Sequence, residues 1–457
     1  MDKTLTERLG DFVAHTTFAA LPSEVVTRAK TCLLHDLAVM LAGRQAEPLA
    51  HDLVRRHYAT PPESTLVWDG SKVSAEGAAL ANAALMHART QDDTHFPSST
   101  HTGSTVIPAA LAMAEAEGAR GEEFLAAMIL GYEIAGRVGR EYDTITTPRG
   151  FRATSLYGPF GAAAAAARLM RLPADRVTAA LGFAANLSGG LGQTWVEGTS
   201  EWRFQVGIAG RHGIFAARLA AAGATAARES LEGLAGFYGA FGGTTEQASR
   251  AVAGLGTEWT VPEVTLKPYP VCAIQQSPVA MMIDLATTYD LRPVDVAEIV
   301  LELNPYEATY PGTDSVGPFT DQGGTLMSGQ FCMALALIER KAPLAALFRF
   351  DDPVLGALTK RCRIVANPAI TPLSSRLIVR TVDQRSLVRE TVATPTLHKW
   401  SFAEEIELVR GLVPEMEVPA ERAERLIAAV RDVDGRPDLG ELVACLTPVA
   451  MAVGAAR

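Results

Sequence analysis

The stretch HARTQDDTHFPSSTHTGSTVIPAALAMAEA, from His87 to Ala116, sets two aspartates, three histidines and several hydroxyls in a proline-interrupted connection between two apolar segments. Polar density of that kind between helices suits a site. The residues Thr102, Gly103, Ser104 and Thr105 stand just before a helix predicted from Pro108, where free backbone N–H groups and the helix dipole could hold a carboxylate beside His101. Taken singly, His101 reads equally as a hydrogen-bonded loop residue, and Asp92 and Asp93 as turn formers or helix caps. In RGFRATSLYGPFGAAAAAARLM, from Arg149, Arg152 offers a guanidinium fork for a carboxylate at the entry to an alanine-rich helix. EGTSEWRFQVG adds Arg203 as a polar handle beside Trp202, which reads as core. In LKPYPVCAIQQSP two prolines hold the chain extended around Lys267, which could neutralise a carboxylate or, if burial lowers its pKa, act as a base. NPYEATYPGTDSVGPFTDQGGTLMSGQF, with Tyr306, Tyr310 and Asp314, is longer than a strand-to-helix closure requires and reads as a lid or binding loop.

These stretches need elements to position them. As far as residue 260, alanine, leucine and glycine recur at helical spacing, with helices expected from Pro22, Ala75, Pro108 and Gly121. After Lys267 the texture changes. VAEIVLELN, RCRIVAN and SSRLIVRTVD read as strands, LVRETVATP completes a hairpin with the last, and QQSPVAMMIDLATTY and TLMSGQFCMALALIER read as intervening helices. The tail returns to helix in SFAEEIELVRGLV, PAERAERLIAAVRDV and DLGELVACLTPVAM. The expected fold is mainly α: a large all-helical domain, residues 1–267 plus 397–457, with a smaller α/β lid domain, residues 268–396.

A chain of 457 residues exceeds one ordinary domain, and its 48% hydrophobic and 20% charged residues are those of a globular protein. The net charge of −10 gives no general attraction to nucleic acid or anionic membranes, so neither is expected as a partner. The N-terminus lacks the apolar run of a secretory signal, and FGAAAAAARLMRL falls short of the ~20 residues that cross a bilayer; a cytoplasmic protein is expected. The five cysteines are scattered and read as reduced, packed thiols, without the spacing of a zinc, redox or iron–sulfur site. No dinucleotide loop, Walker A sequence or HExxH occurs, so no cofactor and no metal is expected.

In this order the stretches DDTHFPSSTHTGSTVIPAALAMAE, GFRATSLYGPFGAAAAAARL, KPYPVC and YPGTDSVGPF followed by MSGQFCMALAL resemble the MmgE/PrpD family over nearly the whole chain. The resemblance implies a homodimer with its active site between a helical domain and a lid. It implies active-site roles for Asp93, Thr94, His101, Lys267 and Tyr310. Thr102, Ser104, Arg152 and Arg203 complete the expected substrate contacts. Thr90 replaces an acidic residue common in the family, Arg152 a histidine, Trp202–Arg203 a Thr-Lys pair, and Gln205 a downstream histidine. The implied activity is metal-independent abstraction of a proton α to a carboxylate of a small polycarboxylate, first as a 2-methylcitrate dehydratase-like hydro-lyase. The alternatives are an epimerase of the iminodisuccinate type, a decarboxylase of the cis-aconitate type, and a catalytically silent carboxylate-binding protein. In each reaction the problem is a second negative charge beside an anion, which a cationic pocket relieves while one base takes the proton.

Overall fold

The computed structural model describes residues 2–44, 46 and 48–447; the last residues of the expected C-terminal helix lie outside them. Helices form where the punctuation predicts, at Ser23–Ala42, Ala75–His87, Gly121–Gly139 and Ala153–Leu169, and a further long helix, Glu201–Ala221, joins them. Ser74 caps the second by accepting from Gly77 N–H, and Gly43 follows the end of the first. One start differs. The helix expected from Pro108 begins at Thr102, with Pro108 inside it. Its first turn is held before the proline is reached, by Gly103 N–H donating to Asp93 and by Thr105 Oγ1 donating to Thr102 O.

The buried apolar residues form two clusters. The first draws on residues between Leu9 and Leu266 and again between Val409 and Leu446, so the C-terminal helices Phe402–Met416 and Ala420–Arg431 complete the helical core. The second runs from Val271 to Leu387 and includes Trp195 and Trp202 from the helical half. Its sheet has the order Cys362–Ala366, Val296–Leu303, Ser375–Thr381, Ser386–Thr391; the first pair is parallel and the others antiparallel, the last being the expected hairpin. Alternation along Ser375–Thr381 buries Leu377 and Val379 beneath the helix Gln276–Thr288, while Gly329–Glu339 packs on Cys362–Ala366. The run expected as one helix around Ser328 is two, because Ser328 ends Gln322–Met327 and caps Gly329–Glu339 through Phe331 N–H. No helix among the described residues is long and apolar enough to cross a membrane. The five cysteines are free.

Small residues set the spacing of the helical core. A Cβ on Gly213 would lie 2.4 Å from Ala162 Cβ and 2.5 Å from Ala163 N, so Glu201–Ala221 packs against Ala153–Leu169 nearly backbone to backbone. Gly213→Ala is expected to destabilise the protein by about 1–3 kcal/mol through overpacking. Gly411→Ala, on a helix position with open space around it, is expected to stabilise by up to ~1 kcal/mol. Chemical denaturation of the two variants checks the contrast.

Candidate active site

A cavity of about 390 Å³ lies where the two cores meet. Thr90, Thr94, His101 and Arg152 reach it from the helical side, and Cys272, Tyr306, Glu307 and Tyr310 from the other. The helical-side loop is fixed from behind by hydrogen bonds. Arg89 binds Gln91 Oε1 and Ala42 O, Gln91 Nε2 donates to Pro268 O, and His35 Nε2 lies 2.9 Å from Gln91 O. His35 is itself held by Glu405, which also takes the Trp400 indole N–H, so the C-terminal helix braces the loop. Thr94 and Thr265 exchange backbone hydrogen bonds, a short bridge that brings Lys267 against the Thr90 carbonyl. Lys267 is only 2% exposed, and burial lowers its pKa from the usual lysine value.

Asp92 is the centre of the polar cluster. Its carboxylate lies 2.9 Å from His87 Nδ1, 3.2 Å from His101 Nδ1 and 3.9 Å from Lys267 Nζ, and it accepts the Ser104 hydroxyl. Burial opposes its charge, but the imidazoles of His87 and His101 and the Lys267 ammonium outweigh that cost and hold it well below the usual carboxylate range. His87 is neutral, its pKa pushed down to about 3 by burial. Arg152 Nη2 donates to His87 Nε2 at 2.6 Å, so His87 carries its proton on Nδ1 and donates it to Asp92. The same guanidinium donates to Trp202 O and Gln205 Oε1, and burial draws its pKa down to about 10, which leaves it charged at neutral pH.

The ring of His101 has two different sides. Nδ1 sits between Asp92 and Lys267, with Lys267 Nζ 3.3 Å away, while no described residue bonds Nε2. Burial, then the Lys267 charge, lower its pKa to about 4. At neutral pH the imidazole is therefore uncharged, and a proton on Nδ1 directed at Asp92 leaves the Nε2 lone pair open to the cavity. His87, Asp92 and His101 are also close enough to share a metal ion. Their surroundings argue for hydrogen bonding instead, since Arg152 occupies His87 Nε2 and the Lys267 ammonium would repel a second cation.

Several expected residues take other places. Asp93 does not line the cavity; its carboxylate accepts Gly103 N–H at 2.8 Å and Tyr132 Oη–H at 2.6 Å behind the loop. The N-terminus expected to hold a substrate carboxylate thus holds Asp93, and of its hydroxyls Ser104 serves Asp92 and Thr102 the Thr100 carbonyl. Arg203 turns away to Asp321 at 3.4 Å and Gln322 at 3.0 Å. Thr94 does line the cavity, and its hydroxyl has no partner among the described residues. The sequence reading passes over His87 and Asp36. Asp36 accepts Asp93 N–H and shares Tyr132 with Asp93; burial and the adjacent carboxylates push its pKa well up. A carboxylate inside the apolar helix TCLLHDLAVML is the signal that could have found it. A Cβ on Gly103 would fall 1.8 Å from Asp36 Oδ2 and 2.7 Å from Tyr132 Oη. Gly103→Ala is therefore expected to lower stability by at least about 2 kcal/mol and to impair the site, measured by denaturation and by ligand-induced thermal shift.

With this geometry in view, the comparisons with known proteins are specific. The MmgE/PrpD N-terminal domain matches residues 7–249. A cis-aconitate decarboxylase of Aspergillus terreus is 27% identical over 352 residues, covering 73% of this chain and 71% of that protein. A cis-aconitate decarboxylase of Homo sapiens is 26% identical over 280 residues, 59% of this chain and 57% of its own length. A cis-aconitate decarboxylase-like protein of Aspergillus oryzae is 28% identical over 279 residues, 58% of each chain. The residues that build the helical wall of the cavity, from Thr90 to Arg152, fall within the matched domain, and the chain belongs to the MmgE/PrpD family.

Proposed function

We propose that this protein is a lyase that removes a proton from the carbon next to a carboxylate of a small polycarboxylate, with His101 as the base. The supporting observation is a neutral imidazole whose Nε2 is unpartnered at the cavity while its Nδ1 lies between a buried carboxylate and a buried ammonium. Removing that proton places a second charge on an anionic group. Arg152 and Lys267, both buried, supply positive potential, and preorganised charge out of bulk water stabilises most. Asp92 orients the ring and stabilises the imidazolium as it forms. The Tyr310 hydroxyl comes from the opposite wall, and burial keeps it protonated.

From this carbanion, loss of β-hydroxide makes the protein a hydro-lyase, the reading we favour. Its neighbours Arg152 and Gln205 stand where the family often has histidines, and they bond to one another rather than offering further proton carriers. Decarboxylation is the second reading, favoured by the activity named for the relatives. Incubation with citrate, 2-methylcitrate, cis-aconitate and iminodisuccinate in D2O, followed by NMR, separates deuterium incorporation, water loss, carbon dioxide loss and inversion. No incorporation and no turnover with any of them sinks the proposal.

His101→Ala is expected to reduce turnover about 10²–10⁴-fold with the fold intact by circular dichroism. For the wild type, kcat/KM should fall as pH drops through about 4, since the base must be unprotonated, rather than near the ordinary histidine value. Lys267→Met removes a charge that disfavours the imidazolium, so this acid limb should move to higher pH while the maximum rate drops.

A further inference from the structure

The far wall of the cavity carries two carboxyl groups. Asp143 is satisfied, accepting the hydroxyls of Ser99 at 2.5 Å and Thr147 at 2.7 Å. Glu307 is different. It follows the cap residue Asn304 in the helix Pro305–Ala308, lines the cavity and is 5% exposed. Its Oε1 accepts Leu373 N–H at 2.8 Å, but its Oε2 is buried with no hydrogen-bond partner among the described residues. A buried charged oxygen without a donor is costly, whereas a protonated carboxyl places its hydrogen on Oε2 and leaves a donor lacking an acceptor. The groups around it do not supply positive charge: Cys272, Tyr306 and Tyr310 line the same wall with Asp143, and Arg152 stands across the cavity bonded to His87. Burial accordingly raises the Glu307 pKa to about 7, a value matched to proton transfer at neutral pH. Tyr310, whose pKa burial raises further, is the weaker acid.

Resting on the hydro-lyase reading, we propose that Glu307 is a catalytic residue, the general acid that protonates the leaving hydroxyl. His101 Nε2 takes the proton from the carbon beside the carboxylate, leaving the C–H electron pair on that carbon as a carboxylate-stabilised carbanion, and this pair then becomes the new carbon–carbon double bond. The β-carbon–oxygen bond breaks with its pair on oxygen, and that oxygen takes the Oε2 proton and departs as water. The Glu307 carboxylate then regains a proton from solvent as the His101 imidazolium loses one, which restores both groups.

The test compares wild type with Glu307→Gln, which keeps the Leu373 contact and the side-chain volume, in D2O with citrate and 2-methylcitrate. Deuterium incorporation at the carbon reports the base step, and water loss reports the acid step. The variant should keep incorporation within about 3-fold while water loss falls about 10²-fold, and the alkaline limb of the wild-type rate near pH 7 should disappear. Water loss at the wild-type rate in Glu307→Gln overturns the role of Glu307 alone. So does an equal loss of both steps in a folded variant, because that is the signature of a structural role. Absence of both incorporation and water loss in the wild type overturns the reaction reading and this step together.

Discussion

The site depends on one buried anion. Asp92 is fully enclosed, and a carboxylate there stays charged only because His87, Ser104, His101 and Lys267 surround it. Those four groups come from a helix end, a helix start, a loop and the extended segment that closes the first part of the helical domain. Each is held where the carboxylate needs it, so the demand for compensation at Asp92 is also what converges the segments. Lys267 is the clearest case, since an ammonium at 2% exposure has no stable place without this partner and the Thr90 carbonyl.

A second pair of carboxyl groups lies just behind and has the opposite character. Asp36 and Asp93 both reach the Tyr132 hydroxyl, Asp36 accepting Asp93 N–H and Asp93 accepting Gly103 N–H, without a cation in contact, and burial with neighbouring carboxylates pushes both upward. Adjacent aspartates in one loop thus divide their work. Asp92 stays ionised against His87, His101 and Lys267, while Asp93 is a brace that fixes the first turn of the Thr102 helix.

Much of this was legible in the chain. DDTHFPSSTHTGST announces itself because polar residues of that density between apolar helices need partners, and Lys267 because two prolines hold it extended. The strands after Lys267 follow from β-branched runs, and the helices of the first half from periodicity and caps. What stayed hidden depends on pairing across long separations. Arg203 looks like a substrate contact until Asp321 is beside it, and His87 looks like the end of a packed helix until Arg152 and Asp92 flank its ring. Glu307 sits in the recognised loop, yet only its lack of a second partner distinguishes it from Asp143. Pro108 suggested a helix start one turn and a half too late, because side-chain bonds to the first turn are invisible in local pattern.

The C-terminal brace bears on how the molecule matures. Glu405 reaches back to His35, which holds the loop at Gln91, and Leu266 N–H donates to His398 O; the Glu405–His35 and Leu266–His398 contacts each join residues more than a hundred apart. Local helices can form early, but such distant closures come late because chain entropy must first be lost. During synthesis the nascent polypeptide therefore passes through a long interval in which the first helices have formed and the loop at Gln91 still lacks its support from Phe402–Met416. Its cluster of charged and imidazole groups gains this bracing only after Phe402–Met416 has emerged.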